Sequence, residues 1–441
     1  MSRRQLHLNA FIYDTGHHEA AWRLPESNPG AATDVGHYIE VARIAEAAGF
    51  DSIFLADSPA LTGDPRYRPT WRLEPTALLG ALAASTEKIG LIATASTTYS
   101  EPYDLARRFA SLDHISHGRI GWNIVTTAGD DAARNFGLQS QTLHEVRYAR
   151  AAEFVDVVTK LWDSWEDQAP VGDKQAGVFA DASKIHPADH RGEYFKVAGP
   201  LNLPRSPQGY PLLVQAGSSE DGKAFAARYA EAVFTAQRTL AEGQAFYADL
   251  KRRAAAAGRA GSQIKILPGI VPVIGSTEAE ARARDRALDE LIIPAFGLER
   301  LSSLFGVDLT GADLDAPLPP VPAEAEIEGN QSRAALVSTL ARTEGLTVRE
   351  LLGKLGGGRG HRTFTGTPEQ LADTIEEWFA GGAADGFNIM PPVLPSGLRE
   401  FADHVVPELR KRGLFREEYA GATLRDHYGL SRPRNRFVPR G

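Results

Sequence analysis

The stretch Gly118-Arg119-Ile120-Gly121-Trp122-Asn123-Ile124-Val125-Thr126-Thr127 carries the reading from which the fold follows. Its alternating, β-branched residues predict a strand over 119–126. That strand ends in Asn123, Thr126 and Thr127, and Gly129, Asp130 and Asp131 follow. Packing alone does not call for a carboxamide and hydroxyls at the end of a buried strand. In a parallel barrel, the C-terminal ends of the strands are where ligands bind.

Working outward, short apolar runs of the buried parallel-strand type begin near residues 6, 52, 89, 120, 212, 232, 266 and 387. Between them the apolar residues recur at helical spacing, as in Tyr38, Val41, Ile44, Ala45 and Ala48, with Asp34 as N-cap and Gly49 as stop. Eight βα units predict a (β/α)8 TIM barrel with insertions in the βα loops, built as one domain over 1–441. Two segments break the rhythm, about 166–210 and 294–342, and are expected to form a lid over the mouth. The residues 413–441 are expected to be a C-terminal arm, with Arg425, Arg432, Arg434, Arg436 and Arg440 contacting another subunit. The run Gly356-Gly357-Gly358-Arg359-Gly360 reads as a flexible loop. It lacks the dinucleotide fingerprint, because His361 stands where the third glycine belongs.

The composition, 43% hydrophobic and 24% charged, is that of a globular protein. A net charge of −8 argues against a nucleic-acid or anionic-membrane partner and for a small molecule. The absence of cysteine excludes disulfides, thiolate metal sites and a cysteine nucleophile. The first apolar run is too short for a signal peptide or a membrane span, so the expected location is cytoplasmic.

Polar residues at the ends of successive strands form the candidate site: Asp57, Thr94, Asn123, Thr126 and the turn Gly217-Ser218-Ser219. Each alone is as well explained by a helix cap or a solvated loop. Their common position favours a ligand. The 217–219 turn opens a helix whose N-terminus suits a phosphate, and a plain serine N-cap is the alternative. His144 and Tyr148 share one helix face, with Arg147 and Arg150 beside them. Adjacent histidines such as His17 and His18 do not converge on a metal, and no metal site is expected. Among the aromatic residues, Trp71, Tyr99, Tyr103, Trp162, Trp165 and Phe387 are candidates for an apolar pocket, with core packing the commoner role. Arg23, Arg66, Arg68 and Arg72 are candidates for an anionic substrate.

The stretch 118–127 with Asn135-Phe136-Gly137 resembles the nitrilotriacetate, EDTA and dibenzothiophene-sulfone monooxygenase group of bacterial-luciferase-like flavin enzymes. Ala21-Trp22-Arg23, Ala180-Asp181, 204–209, Gln215-Ala216-Gly217, 381–387 and Thr423-Leu424-Arg425-Asp426-His427 extend the likeness along nearly the whole chain. Thr127 stands where that group often has Ser. The resemblance implies a barrel binding FMN as FMNH2, supplied by a separate NAD(P)H:flavin reductase and used with O2 to oxygenate or cleave a small organic substrate. It implies Asp57, Thr94, Asn123 and Thr126 near the flavin, and Tyr148, Gly217, Ser218 and Ser219, with His144, at the phosphate. His17, His18 and Asn123 are the candidates for chemistry, and a homodimer or homotetramer is expected. The competing readings are a deazaflavin-dependent oxidoreductase, a non-catalytic flavin-binding protein and a metal-dependent barrel hydrolase.

Overall fold

In the computed structural model, eight parallel strands close into a ring: β1 (His7–Ile12), β2 (Ser52–Leu55), β3 (Gly90–Ser96), β4 (Ile120–Val125), β5 (Leu212–Ala216), β6 (Ala232–Thr235), β7 (Lys265–Ile274) and β8 (Gly386–Ile389). The described residues are 4–61, 64–67, 69–70, 72–322, 331–358 and 360–439. Arg68, Trp71, Arg359 and Arg440 therefore lie outside them. Closure comes from β6 pairing with β7, Ala232 opposite Lys265, while β8 bridges β7 and β1. These are the eight strands expected. An additional strand, Arg362–Gly366, lies outside the ring against Ile270–Ile274 of β7. Its short Arg-Thr-Phe-Thr-Gly sequence gives too little apolar signal to stand out.

Strand alternation divides each strand between two cores. Phe11, Phe54, Ile92, Leu212, Val214 and Phe234 fill the lumen, where the rings of Phe11, Phe54 and Phe234 meet edge-on at 4.9, 5.1 and 5.6 Å. Trp122 points the other way, into the layer between sheet and helices, against Phe109, Phe154 and Trp162. Asn123, its neighbour, is thereby turned inward.

The C-terminal segment closes the lumen from below. Leu424 fills the space left by two glycines: a Cβ on Gly90 would lie 2.2 Å from its Cδ1, and one on Gly121 3.3 Å from its Cδ2. The Tyr428 hydroxyl donates to Asn9 Oδ1 at 2.7 Å, and Asn9 Nδ2 donates to Asn388 Oδ1 at 3.1 Å. Arg425, 1% exposed, pairs with Glu231 and reaches the Tyr210 carbonyl. Arg432 pairs with Asp167, and Arg436 with Asp163. The tail arginines expected to contact another subunit are thus largely spent within the chain, because the open N-terminal end of a barrel needs a cover.

The segment 166–210 corrects a second expectation. It joins helix His144–Trp162 to β5, an αβ connection, and so lies at the N-terminal end of the barrel, opposite the mouth. Just before it in the chain, the carbonyls of Asp163 and Trp165 accept from Asn435 Nδ2 at 2.8 and 2.7 Å. The segment carries two small hairpins, Pro170–Asp173 with Val178–Ala180 and His190–Arg191 with Lys196–Val197. The second excursion does reach the mouth, and it is helical where described rather than irregular: Pro294–Phe305, Gln331–Thr343 and Val348–Gly358 surround a small core of their own. The glycine run closes the last of these helices. Its missing side chains let the helix end approach the loop after β1, where Glu19 N–H donates to the Gly356 carbonyl at 2.9 Å. A Cβ on Gly356 would lie 2.7 Å from Ile292.

Candidate functional site

At the C-terminal rim of the lumen, β3 and β4 place Thr94 directly opposite Asn123. Asn123 Nδ2 donates to Thr94 Oγ1 at 2.8 Å, and both residues are 3% exposed. Asn123 Oδ1 is buried without a hydrogen-bond partner. An unsatisfied buried carbonyl costs about 1–3 kcal/mol, so this atom is a ready acceptor for a bound donor. Asp57, past the end of β2, is half-buried. Burial raises its carboxyl above the usual range, against the Ser58 N–H and the Arg72 charge.

A second cluster gathers where β4, β5 and helix His144–Trp162 meet. Burial raises the Tyr148 hydroxyl, while hydrogen bonds with Ser219 and Thr126 oppose the rise. Ser219 caps helix Glu220–Tyr229, its Oγ accepting from Gly222 N–H at 3.1 Å. A Cβ on Gly217 would stand 3.5 Å, and one on Gly222 3.2 Å, from the Tyr148 hydroxyl, so these glycines keep room for it. Ser218 Oγ lies 3.4 Å from Thr235 Oγ1. The His144 ring lies tilted against Tyr148, centroids 4.8 Å apart, and pairs through Nδ1 with Asp221 at 2.9 Å. Glu220 is held by Arg253 at 2.7 Å, so both acidic residues of that first turn are engaged. The structure therefore brings Thr126, Tyr148 and Ser219 together and leaves Ser218 and His144 at the exposed margin.

His17 and His18 diverge. His17 is fully buried, its Nε2 2.8 Å from the Phe11 carbonyl and its ring against Phe11 and Tyr13. His18 Nδ1 accepts from Ala20 N–H at 3.2 Å, and its Nε2 faces Asp289 at 3.4 Å. Among the described residues, no three His, Asp or Glu side chains gather as a metal site would require.

Four residues at the mouth were not assigned a role from the sequence. Thr127 Oγ1 donates to Ser96 Oγ at 2.7 Å. Gln141 Nε2 donates to the Tyr99 hydroxyl at 2.9 Å and to the Thr127 carbonyl at 2.8 Å. The same carbonyl accepts from Arg147 Nη1 at 3.0 Å. Only the position of Arg147, one helical turn from His144, could have signalled it. Of the aromatic candidates, Tyr99 is at the mouth, stacked on Phe136 at 4.4 Å. Trp162, Trp165 and Phe387 pack elsewhere, Trp165 donating to the Leu201 carbonyl and Phe387 lying against Trp378. Arg66 pairs with Asp64, and Arg23 reaches the Leu291 carbonyl. Arg72 lies over the Tyr13 ring. A cleft of about 450 Å³ lies at the other end of the barrel, between the 166–210 segment and the tail, and its charges already pair, Arg432 with Asp167.

The family model for luciferase-like monooxygenases matches residues 15–385. The chain is 51% identical to nitrilotriacetate monooxygenase component A of Aminobacter aminovorans, over 98% of each chain. It is 50% identical to N-acetyl-S-(2-succino)cysteine monooxygenase of Bacillus subtilis (strain 168), over 99% of each. A solved riboflavin lyase, with modified FMN and its substrate riboflavin, superposes with a TM-score of 0.85 at 34% identity, covering 97% of this chain and 96% of that one.

Proposed function

Since this chain belongs to the luciferase-like monooxygenase family and is therefore an oxidoreductase, we propose that it is the oxygenating component of a two-component system. In this reading it takes FMNH2 from a separate NAD(P)H:flavin reductase and uses O2 to cleave a C–N or C–S bond of a small organic substrate. The observation that carries the reading is Asn123, a buried acceptor lacking a donor at the ligand-binding end of the barrel. The names of the two relatives supply the bond types, and the riboflavin lyase supports FMN.

The residues present suit a flavin mononucleotide. Asn123 Oδ1 offers an acceptor to a ring N–H, with the amide held by Thr94. The hydroxyls of Thr126, Tyr148 and Ser219 offer donors to a phosphate beside the start of helix Glu220–Tyr229. Bound FMNH2 would supply the electrons that activate O2. The chain's own part is to bind, orient and keep dry. The Phe11, Phe54 and Phe234 rings seal the lumen beneath Asn123 and exclude water from below. The helices over 294–358 are the lid in this proposal, since Phe296 approaches Tyr67 of the β2 loop and Arg300 pairs with Glu19 of the β1 loop. His17, its Nε2 donating to the Phe11 carbonyl, is assigned the proton exchange. His18, its Nδ1 taken by Ala20, is assigned a positioning role.

The test is a panel of amines and thioethers incubated with the protein, FMN, NADH and a generic flavin reductase, read by mass spectrometry and oxygen uptake. Oxygenated or cleaved product should form only with the reductase present, and Asn123→Ala should lower turnover. Anaerobic conversion with a reduced deazaflavin would place the chain among hydride-transfer enzymes instead. Tight flavin binding with no product across the panel would favour a non-catalytic flavin carrier.

A further inference from the structure

Arg147 lies in the first turn of helix His144–Trp162, half-buried, one residue before Tyr148. Its Nη1 donates to the Thr127 carbonyl, and its Nε is buried with no hydrogen-bond partner. Among the described residues, no carboxylate pairs with it. Burial lowers its pKa, and among the described residues the side chains set against that effect are Tyr148 and Tyr99, neither of them a carboxylate. Neighbouring arginines are placed differently. Arg66 has Asp64, Arg300 has Glu19, Arg72 feels Asp57, and Arg150 has Glu101 and Glu153 nearby while covering the Phe195 ring at 4.6 Å.

A guanidinium stays charged under all physiological conditions, and a partly buried charge without a counter-ion is costly. A chain that keeps such a group beside a ligand cluster leaves its neutralisation to the ligand. Three hydroxyls stand close by: Thr126, adjacent to the Thr127 carbonyl that Arg147 binds, Tyr148, adjacent to Arg147 itself, and Ser219 at a helix N-terminus. Hydroxyl donors, a helix N-terminus and one unspent guanidinium together suit a dianionic oxygen group.

We infer that Arg147 provides the positive charge that reads the phosphate of FMN and makes this site prefer FMN to riboflavin. The inference rests on the flavin reading above and assigns one residue within it. A substrate carboxylate is the other possible source of the anion, and the two sources give different results in the same experiment.

Wild-type protein, Arg147→Gln and Arg147→Lys are titrated anaerobically with dithionite-reduced FMN and reduced riboflavin, followed by absorbance. The wild type should bind FMN more tightly than riboflavin. Loss of one charge-assisted contact should weaken FMN binding to Arg147→Gln by about ten- to a hundredfold. Riboflavin binding should be unchanged, which also shows that the variant is folded. Arg147→Lys should fall between the two, because it keeps the charge but not the fork. An unchanged FMN-to-riboflavin ratio in Arg147→Gln overturns the inference. So does an unchanged ratio with a raised KM for anionic substrates, which assigns the charge to substrate. A wild type that binds neither flavin defeats the flavin reading itself and this assignment with it.

Discussion

Asp113 is fully buried at the N-terminal end of the barrel, accepting from Ile120 N–H at 3.0 Å and Gln208 Nε2 at 2.7 Å. Burial outweighs these donors and pushes its carboxyl up to about 6. A raised pKa in the fold means that the stabilisation is complete below the unfolded value and is lost as pH climbs through the folded one. Stability should therefore fall between about pH 4 and 6, by at most about 3 kcal/mol from this group. Asp113→Asn should remove that slope and leave the variant relatively more stable at neutral pH. Denaturant unfolding from pH 4 to 8 checks it, and parallel curves for the two proteins would refute the assignment. The same scale explains what was legible at the site. The inward facing of Thr94 and Asn123 could be read from the sequence because a strand of period two turns them away from the side that Trp122 takes, whereas Thr126 stands just past the end of β4. That no carboxylate among the described residues pairs with Arg147 could not be read there, since the lack of a partner is a property of every element around it.

At the scale of elements, the tail is the largest departure from expectation. Arg425 and Glu231 are both largely desolvated and hydrogen-bonded to each other. Removing one member leaves the other charge buried, which costs about 3–5 kcal/mol. Arg425→Met should lower the midpoint of urea unfolding accordingly, and Arg425→Met with Glu231→Gln should recover part of the loss. A double variant whose loss equals the sum of the single losses would show that the pair is not coupled. The sequence reads the tail arginines as a subunit-contact arm, which would place them outward. What reverses this is the lumen floor: Gly90 and Gly121 leave a space that Leu424 fills, and Arg425 must follow it inside. The glycine run 356–358 behaved likewise, reading as loop and forming a helix end because close approach to the loop after β1 favours residues without side chains.

At the scale of the whole molecule, the two excursions lie at opposite ends and should behave oppositely. Asp181 N–H already donates to the Ala169 carbonyl at 2.8 Å, so the hairpin between them can be replaced by a short turn. The shortened protein should bind FMNH2 with unchanged affinity, and a loss of binding would return this segment to the mouth. Proteolytic cleavage within 294–361 should slow when FMNH2 is present, and equal rates with and without it would remove the lid. The sequence by itself determined the eight-strand ring, the sense in which each strand presents its polar end and the family to which the chain belongs, because these depend on local periodicity and residue identity along the chain. Only the tertiary structure decided that the tail seals the barrel, that 166–210 stands away from the mouth and that, among the described residues, no carboxylate pairs with Arg147. Those facts arise from which elements meet in space, and contacts between residues hundreds of positions apart leave no periodic trace in a single sequence.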